Sequence, residues 1–293
     1  MSETTLAFGA NSGLVGTLSA AAQPTADVGA LLFNAGVVPR IGPNRLNVRI
    51  ARALAARGIP SLRFDLSGRG DSAPARGMES YEEQAVADIR AAMNLLNERT
   101  GVRCFALMGL CSGAENAFHA ALADERVIGV TLMDSYHYPT LRTHLNRFRQ
   151  RARMQGGLMR AGSAWLRRRL HLPGNGNGNG NGNGNGNGSS AAPRREGAST
   201  SFGSIRPTPD DFAAKLKTLI DRGVSIDLLF SGSFLETYNY ENQFRDGFGR
   251  FGIVDRMRIE YRPDLDHTLS TAVMQREMVA RTAHWFSSMT NAQ

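Results

Sequence analysis

The sequence predicts an α/β fold: a mostly parallel sheet with helices on both faces and a helical cap inserted into it. From Val28 onward, short apolar runs alternate with longer segments of helical spacing, and this alternation is typical of a parallel sheet. A turn with two glycines, residues 109–113, joins one apolar run directly to a helix. Between residues 136 and 207 the alternation stops, and the segment is basic and partly of low complexity.

The elements follow in order. Two short runs, 4–8 and 14–19, flank a polar turn and predict an antiparallel hairpin. The later strands are predicted at 28–33, 61–66, 104–110, 127–133, 225–230 and 258–261. Helices are predicted from Leu46 to the stop at Gly58, and at 81–99, 114–122, 209–222, 240–248 and 271–286. Ser80 with Glu83, and Thr208 before Pro209, have the pattern of helix N-caps.

These elements divide the chain into a core, residues 1–135 and 208–293, and a basic helical cap, residues 136–207. The cap contains two helical basic pieces. The first places Leu141, Leu145 and Phe148 on one stripe, and the second holds Leu158, Trp165, Leu166 and three arginines, 167–169. After them, glycine and asparagine alternate from Gly174 to Gly188 and two serines follow. Such a tract has no apolar area to bury against the entropy of ordering it, so residues 174–190 are predicted to be disordered.

Charge is concentrated in the cap. The net charge is +8, and eleven of the 34 basic residues, all arginine, lie between Ser135 and Arg195, where no acidic residue occurs. The rest of the chain is slightly acidic, which argues against a general nucleic-acid-binding surface. A local site for an anion is predicted instead: a phosphate-bearing acyl carrier, a membrane surface or a protein partner, with an ordinary solvated face as the alternative.

Cysteine usage and the chain start bear on the compartment. Only Cys104 and Cys111 occur, on and just after one predicted strand, so a structural disulfide between them is not expected. The first residues lack a basic segment followed by an apolar one, and no run has the length of a membrane span. We expect a cytoplasmic protein without a metal or cofactor, since neither a metal-ligand set nor a phosphate-binding loop is apparent.

The turn Gly109-Leu-Cys-Ser-Gly113 predicts a nucleophile elbow, the strand-to-helix reversal that exposes one reactive side chain above a sheet edge. Cys111 occupies the position of the nucleophile. Ser112 lies one place off the centre of the glycine pair, and its expected contribution is its backbone N–H. The alternative interpretation is a buried cysteine beside a helix that begins with a serine cap.

A cysteine nucleophile needs a base and an acid that orients this base. His267 follows the last predicted strand, where the base belongs, and is the predicted base. The acid is expected in the loop after strand 225–230, where Glu236 is the first candidate and Glu241 the second. Asp266 adjoins the histidine in sequence, which makes it a poor candidate for orienting the ring.

Acyl transfer also needs two N–H groups that stabilise the oxyanion. By position these are the backbone amides of Ser112 and Val37, and Gly36 permits close approach of the loop to the substrate. Glu115, one helical turn beyond the cysteine, is a second predicted substrate-binding residue, or it complements the positive end of the helix dipole.

Four segments carry a resemblance: Phe33-Asn-Ala-Gly, Arg63-Phe-Asp-Leu-Ser-Gly-Arg-Gly-Asp-Ser, Gly109-Leu-Cys-Ser-Gly and Asp266-His-Thr. They resemble the α/β-hydrolase superfamily, and more narrowly the bacterial hydrolases associated with exosortase and exopolysaccharide gene clusters, with their Gly-x-Cys-x-Gly elbow. The similarity covers Leu14 to about Tyr138 and Asp211 to the C-terminus. Two features depart from it: no aspartate follows Ser231-Gly232, and the Gly-Asn tract fits no family pattern.

The resemblance implies hydrolysis of an ester or thioester of a small-molecule acyl substrate through a covalent acyl-cysteine, with Cys111 as nucleophile and His267 as base. Two alternatives stay open. The same cysteine serves an acyltransferase if the acyl group passes to an acceptor other than water. A non-catalytic member of the fold would instead bind a precursor or dock on a partner, and a missing acid would favour that interpretation.

Overall fold

The computed structural model describes residues 2–21, 27–77, 79–154 and 206–290. The chain forms two compact units: Met1–Thr143 with Phe202–Gln293, and His144–Ser201. The Gly-Asn tract, predicted to be disordered, and the second basic piece of the cap lie outside the described residues. The predicted division into core and cap at residues 135 and 208 therefore stays a prediction. Tyr136 and His137, the first two residues of the predicted cap, are buried in the first unit.

The first unit is built on one eight-stranded sheet with the order β1-β2-β4-β3-β5-β6-β7-β8. The pairs β1–β2 and β2–β4 are antiparallel, and every pair from β4 through β3 to β8 is parallel. The strands are β1 (Ser2–Phe8), β2 (Leu14–Ala20), β3 (Val28–Leu32), β4 (Ser61–Phe64), β5 (Cys104–Leu110), β6 (Val127–Met133), β7 (Ser225–Ser231) and β8 (Arg258–Arg262). The predicted mostly parallel sheet is confirmed.

Seven helices are described: α1 (Leu46–Ala55), α2 (Tyr81–Thr100), α3 (Ser112–Ala123), α4 (Leu141–Met154), α5 (Pro209–Asp221), α6 (Gln243–Phe248) and α7 (Ala272–Thr290). The buried side chains of these helices and of the sheet form two hydrophobic clusters. Side chains of α2, α3 and α5 pack in one cluster, and those of α1 and α7 in the other. Strand β5 contributes to both, with Phe105 and Leu107 in the first and Ala106 and Met108 in the second. Helices therefore cover both faces of the sheet, because successive strand residues point to opposite sides.

The predicted helix caps are present. The Ser80 side chain accepts a hydrogen bond from the Glu83 amide, and the Glu83 carboxylate accepts one from the Ser80 amide, which is a capping box. The Thr208 side chain accepts from the Asp211 amide at the start of α5, with Pro209 in the first turn. Gly101 ends α2 with a φ of 79°, a conformation that disfavours a side chain.

Of the second unit the structure describes His144–Met154, which forms most of α4. Leu145 and Phe148 are exposed there, at the helical spacing predicted for the first piece of the cap. Arg147, Arg149 and Arg151 lie on the same helix, and no acidic residue occurs within it. No helix among the described residues combines the length and apolarity that crossing a bilayer requires.

Candidate active site

Cys111 sits between β5 and α3 with φ 56° and ψ −126°. Positive φ is strained for a residue with a side chain, and such strain is typical of functional positions. The Cys111 amide donates to the Met133 carbonyl at 2.9 Å, and its carbonyl accepts from the Ala114 amide at 2.9 Å. The reversal is thus held from both the neighbouring strand and the new helix.

The two flanking glycines are required by close backbone contacts. A Cβ at Gly109 would fall on the carbonyl group of Gly113 and the amide nitrogen of Ala114, and a Cβ at Gly113 would lie 2.5 Å from the Asn34 carbonyl oxygen. Strand β5, helix α3 and the loop after β3 therefore meet here at distances that only glycine allows. The backbone geometry is that of the predicted elbow.

His267 lies in the loop after β8 and reaches the elbow. Its Nδ1 is 2.8 Å from Oδ2 of Asp134, and interactions with the Cys111 side chain are among the contributions that raise the pKa of the ring. The loop is tied to the one after β7, since the His267 amide donates to Ser233 Oγ at 2.8 Å and the Gly232 amide donates to the Leu265 carbonyl at 2.8 Å. The structure thus brings together the predicted nucleophile and the predicted base.

Asp134 is the carboxylate that sequence reasoning missed. It follows β6 directly, its side chain is fully buried, and it accepts from the Ser231 amide and the Ser231 hydroxyl, each at 2.7 Å. Its own amide donates to the Leu229 carbonyl at 2.8 Å, with a φ of 49°. The end of β7 therefore fixes a carboxylate from β6 against the histidine of the β8 loop.

This geometry corrects the predicted acid. Glu236 and Glu241 are exposed in the segment after β7, and the carboxylate at Nδ1 of His267 belongs to Asp134. The reason is steric. A Cβ at Gly232 would collide with the Pro263 carbonyl, so the loop after β8 crosses directly over the end of β7. The His267 ring therefore extends over the end of β7 and meets Asp134 at the end of β6. Asp266 instead caps its own turn, accepting from the Thr268 amide at 2.9 Å.

The charge state of His267 follows from its neighbours. Burial, the largest contribution, disfavours the imidazolium, but hydrogen bonds and charge interactions with Asp134 and Cys111 outweigh it and raise the pKa of His267 to about 9. The ring therefore carries a proton at neutral pH, and the buried Asp134 stabilises that charge. A histidine whose pKa is tuned by a buried carboxylate is the arrangement expected of a general base.

A second histidine lies beside the same carboxylate. His137 Nε2 is 4.0 Å from Asp134 Oδ1, is buried, and has no hydrogen-bond partner in the described part of the chain. Burial lowers the pKa of His137 to about 4, so its ring is neutral at physiological pH. Phe234 separates the two imidazoles, with its ring 4.7 Å from that of His137 and 4.9 Å from that of His267. An apolar wall therefore closes one side of the site.

The predicted oxyanion site lies at the start of α3. Ser112 is the first residue of that helix, so its amide has no helical acceptor. The Gly36 amide donates to Ser112 Oγ at 2.9 Å, and the Val38 amide closes a turn onto the Ala35 carbonyl at 2.9 Å. The hydrogen bond that closes this turn is donated by the Val38 amide and not by the Val37 amide. The loop carrying the two predicted residues, 36 and 37, is therefore held against the elbow.

The glycine-rich turn after β4 supports this loop. Asp65 is fully buried and accepts from the Asn34 side chain at 3.0 Å and from the Arg40 amide at 2.6 Å. A Cβ at Gly70, where φ is 48°, would fall on the Asp65 carboxylate, so the turn closes tightly around it. Arg40 also bridges Asp65 and Asp71. The motif that began with Arg63 thus has a positioning role for the loop beside the elbow.

Glu115, the other predicted substrate-binding residue, is half-buried in the first turn of α3. Its amide donates to the Cys111 carbonyl at 3.3 Å. Its charge is one of the smaller contributions to the raised pKa of Tyr138, after burial and the neighbouring Tyr136. It therefore lies one turn from the cysteine, on the side of Tyr138. Among the described residues, no group of three or more histidine, cysteine or acidic side chains could hold a metal ion.

No protein-family model and no curated protein matches the sequence. Solved structures do. A lidless α/β serine hydrolase from Xanthomonas campestris has a TM-score of 0.55 at 12% identity, over 100% of this chain and 96% of that one. The meta-cleavage product hydrolase of Pseudomonas fluorescens has 0.54 at 14% identity, covering 98% of both chains. An esterase of Pyrococcus furiosus has 0.54 at 10% identity, over 98% of this chain and 91% of that one. The chain therefore has the α/β-hydrolase fold.

Proposed function

We propose that this protein hydrolyses carboxylic esters or thioesters through an acyl-cysteine intermediate on Cys111. The observation that carries the proposal is the pairing of His267 with the buried Asp134, together with the interaction of His267 with Cys111 at a strained strand-to-helix turn. Enzymes of the same fold, named above as hydrolases and an esterase, support this reaction class.

In the first step Sγ of Cys111, having passed its proton to His267, adds to the substrate carbonyl carbon. The negative oxygen then lies near the amides of Ser112 and Val37. Collapse of this intermediate breaks the bond to the leaving alcohol or thiol, which takes the proton from His267. Oriented N–H donors of this kind contribute roughly 3–4 kcal/mol each to transition-state stabilisation.

In the second step a water molecule attacks the acyl-cysteine, and His267 takes a proton from that water. The bond to Sγ breaks, the carboxylic acid leaves, and His267 keeps the proton, which restores the starting pair of Cys111 and His267. Asp134 keeps the ring in the tautomer with the proton on Nδ1 and stabilises the imidazolium in both steps. Because it is held by Ser231, Asp134 needs no rearrangement during the reaction.

Two other functions were open. A non-catalytic role was favoured by a missing acid, and Asp134 removes that argument. An acyltransferase retains support from the nucleophile itself, because a thioester intermediate is readily attacked by amines and thiols. Added acceptors therefore belong in the same experiment.

The test is intact-mass spectrometry after mixing the protein with p-nitrophenyl esters and acyl thioesters. We expect a transient acyl adduct on the wild type and on Cys104→Ala, the matched control at the other end of β5, and none on Cys111→Ala. Decay of the adduct in water supports hydrolysis, and decay only on addition of an amine or thiol supports transfer. An adduct that persists in Cys111→Ala and vanishes in Ser112→Ala would overturn the assignment of the nucleophile.

A further inference from the structure

Large apolar side chains that are exposed in the described part of the first unit lie at one edge of the sheet. Among its described residues, five large apolar side chains are 40% or more exposed: Val37 (64%), Ile41 (44%), Leu141 (85%), Leu235 (40%) and Val273 (63%). They lie in the segments that follow β3, β6, β7 and β8. Since the carboxyl ends of parallel strands share one edge, all five lie on the edge that carries Cys111. We call these five residues the apolar rim.

Two members of the apolar rim flank the reactive groups. Val37 adjoins Gly36, whose amide donates to Ser112 Oγ at 2.9 Å, so it lies on the oxyanion side of the elbow. Leu235 adjoins Phe234, whose ring meets the His267 ring edge-on at 4.9 Å, so it lies on the histidine side. These two apolar residues therefore belong to the two loops that contact Ser112 and His267.

Single exposed apolar residues are ordinary on a protein surface, but their concentration at one place marks a binding site. The described residues of the opposite edge of this unit contribute no large apolar side chain of comparable exposure. The distribution therefore indicates that the ligand at this edge carries a sizeable apolar group.

We propose that the apolar rim binds the acyl chain of the substrate, which is an alkyl chain longer than acetyl. This inference rests on the proposed acyl-cysteine mechanism. The acyl chain is the part of the substrate that stays bonded to Sγ after the leaving group departs, so contacts with it act in both acylation and deacylation. Complete burial of one methylene group changes binding roughly fourfold, and a partly open surface gives roughly half that factor.

The experiment varies the acyl chain and keeps the leaving group constant. With p-nitrophenyl esters from acetyl to octanoyl, each dissolved as monomers, we expect kcat/KM of the wild type to rise roughly twofold per methylene. Leu235→Ser and Ile41→Ser should each lower the octanoyl-to-acetyl ratio of kcat/KM about fivefold, because each removes apolar contact area. Leu235→Met, which keeps the apolar volume, should retain the wild-type ratio.

Leu122→Ser is the matched control, since Leu122 is half-buried in the last turn of α3 at the opposite edge of the sheet. It should keep the wild-type chain-length preference. A wild type that cleaves acetyl and octanoyl esters equally well through Cys111, or a preference that Leu235→Ser and Leu122→Ser reduce alike, would overturn the inference and leave the hydrolase proposal standing. Absence of any Cys111 adduct across the series would instead refute the proposed function itself.

Discussion

The carboxylate beside His267 is the residue on which the proposed mechanism depends most. In Asp134→Asn the side-chain amide presents an N–H to Nδ1 of His267, so the ring takes the other tautomer and can no longer accept the proton of Cys111. We expect kcat to fall roughly 1,000- to 10,000-fold, as for other triads of this kind. Steady-state kinetics of ester hydrolysis measure this fall in kcat. Glu236→Gln is the control, and a larger loss there than in Asp134→Asn would return the role to the glutamate.

The raised pKa of His267 should be visible by titration and in the stability of the fold. A pKa near 9 in the folded protein, above the ordinary 6.5, means that the bound proton stabilises the fold fully below about pH 6.5 and that this contribution is lost as the pH rises toward 9. NMR titration of the ring should give a midpoint near 9 in the wild type and a lower one in Asp134→Asn. A midpoint unchanged by that substitution would contradict the pairing. Urea unfolding should show a larger loss of stability between pH 6 and pH 9.5 in the wild type than in His267→Gln.

At the scale of elements, the elbow is a junction of three backbones. Gly109→Ala puts a methyl group against the Gly113 carbonyl and the Ala114 amide, so α3 or β5 must shift. We expect the free energy of unfolding to fall by roughly 2–4 kcal/mol, within the range of severe steric substitutions, together with loss of the acyl adduct. Gly249→Ala is the matched control: its φ of −55° is helical, and nothing lies within 4 Å of an added Cβ. It should be neutral or slightly stabilising in urea unfolding.

The order of elements was predictable to a large extent, and the site only in part. Continuous apolar runs such as that of β5 and capping pairs such as Ser80 with Glu83 are local signals, and the structure has them where the sequence predicts them. The loop that supplies the acid for His267 is determined by how the loops pack against one another. The signal for Asp134 was present, since an aspartate directly follows β6 and Ser231-Gly232 after β7 offers no acid. Its meaning depends on the β8 loop crossing over Gly232, which one-dimensional patterns do not report.

At the scale of the whole molecule, the uneven charge distribution gives a further prediction. The arginines between residues 142 and 195 are unaccompanied by acidic residues, so a phosphate-bearing acyl carrier, which stays a proposed substrate, should be attracted electrostatically. Hydrolysis of a phosphate-bearing thioester should then fall with rising salt more steeply than hydrolysis of a neutral ester, because exposed charges are screened beyond about 10 Å at 0.1 M salt. Equal salt dependence of kcat/KM for the two substrates would exclude this attraction.

The two cysteines lie at opposite ends of β5, with Cys104 as its first residue and Cys111 just past its last. Seven residues of extended chain separate them by roughly 20 Å, far beyond the reach of a disulfide. If peroxide oxidises Cys111 to a sulfenic acid, the chain has no resolving thiol of its own. Recovery must then come from a small-molecule thiol or a thiol-reducing partner, so the proposed activity would depend on the surrounding thiol pool.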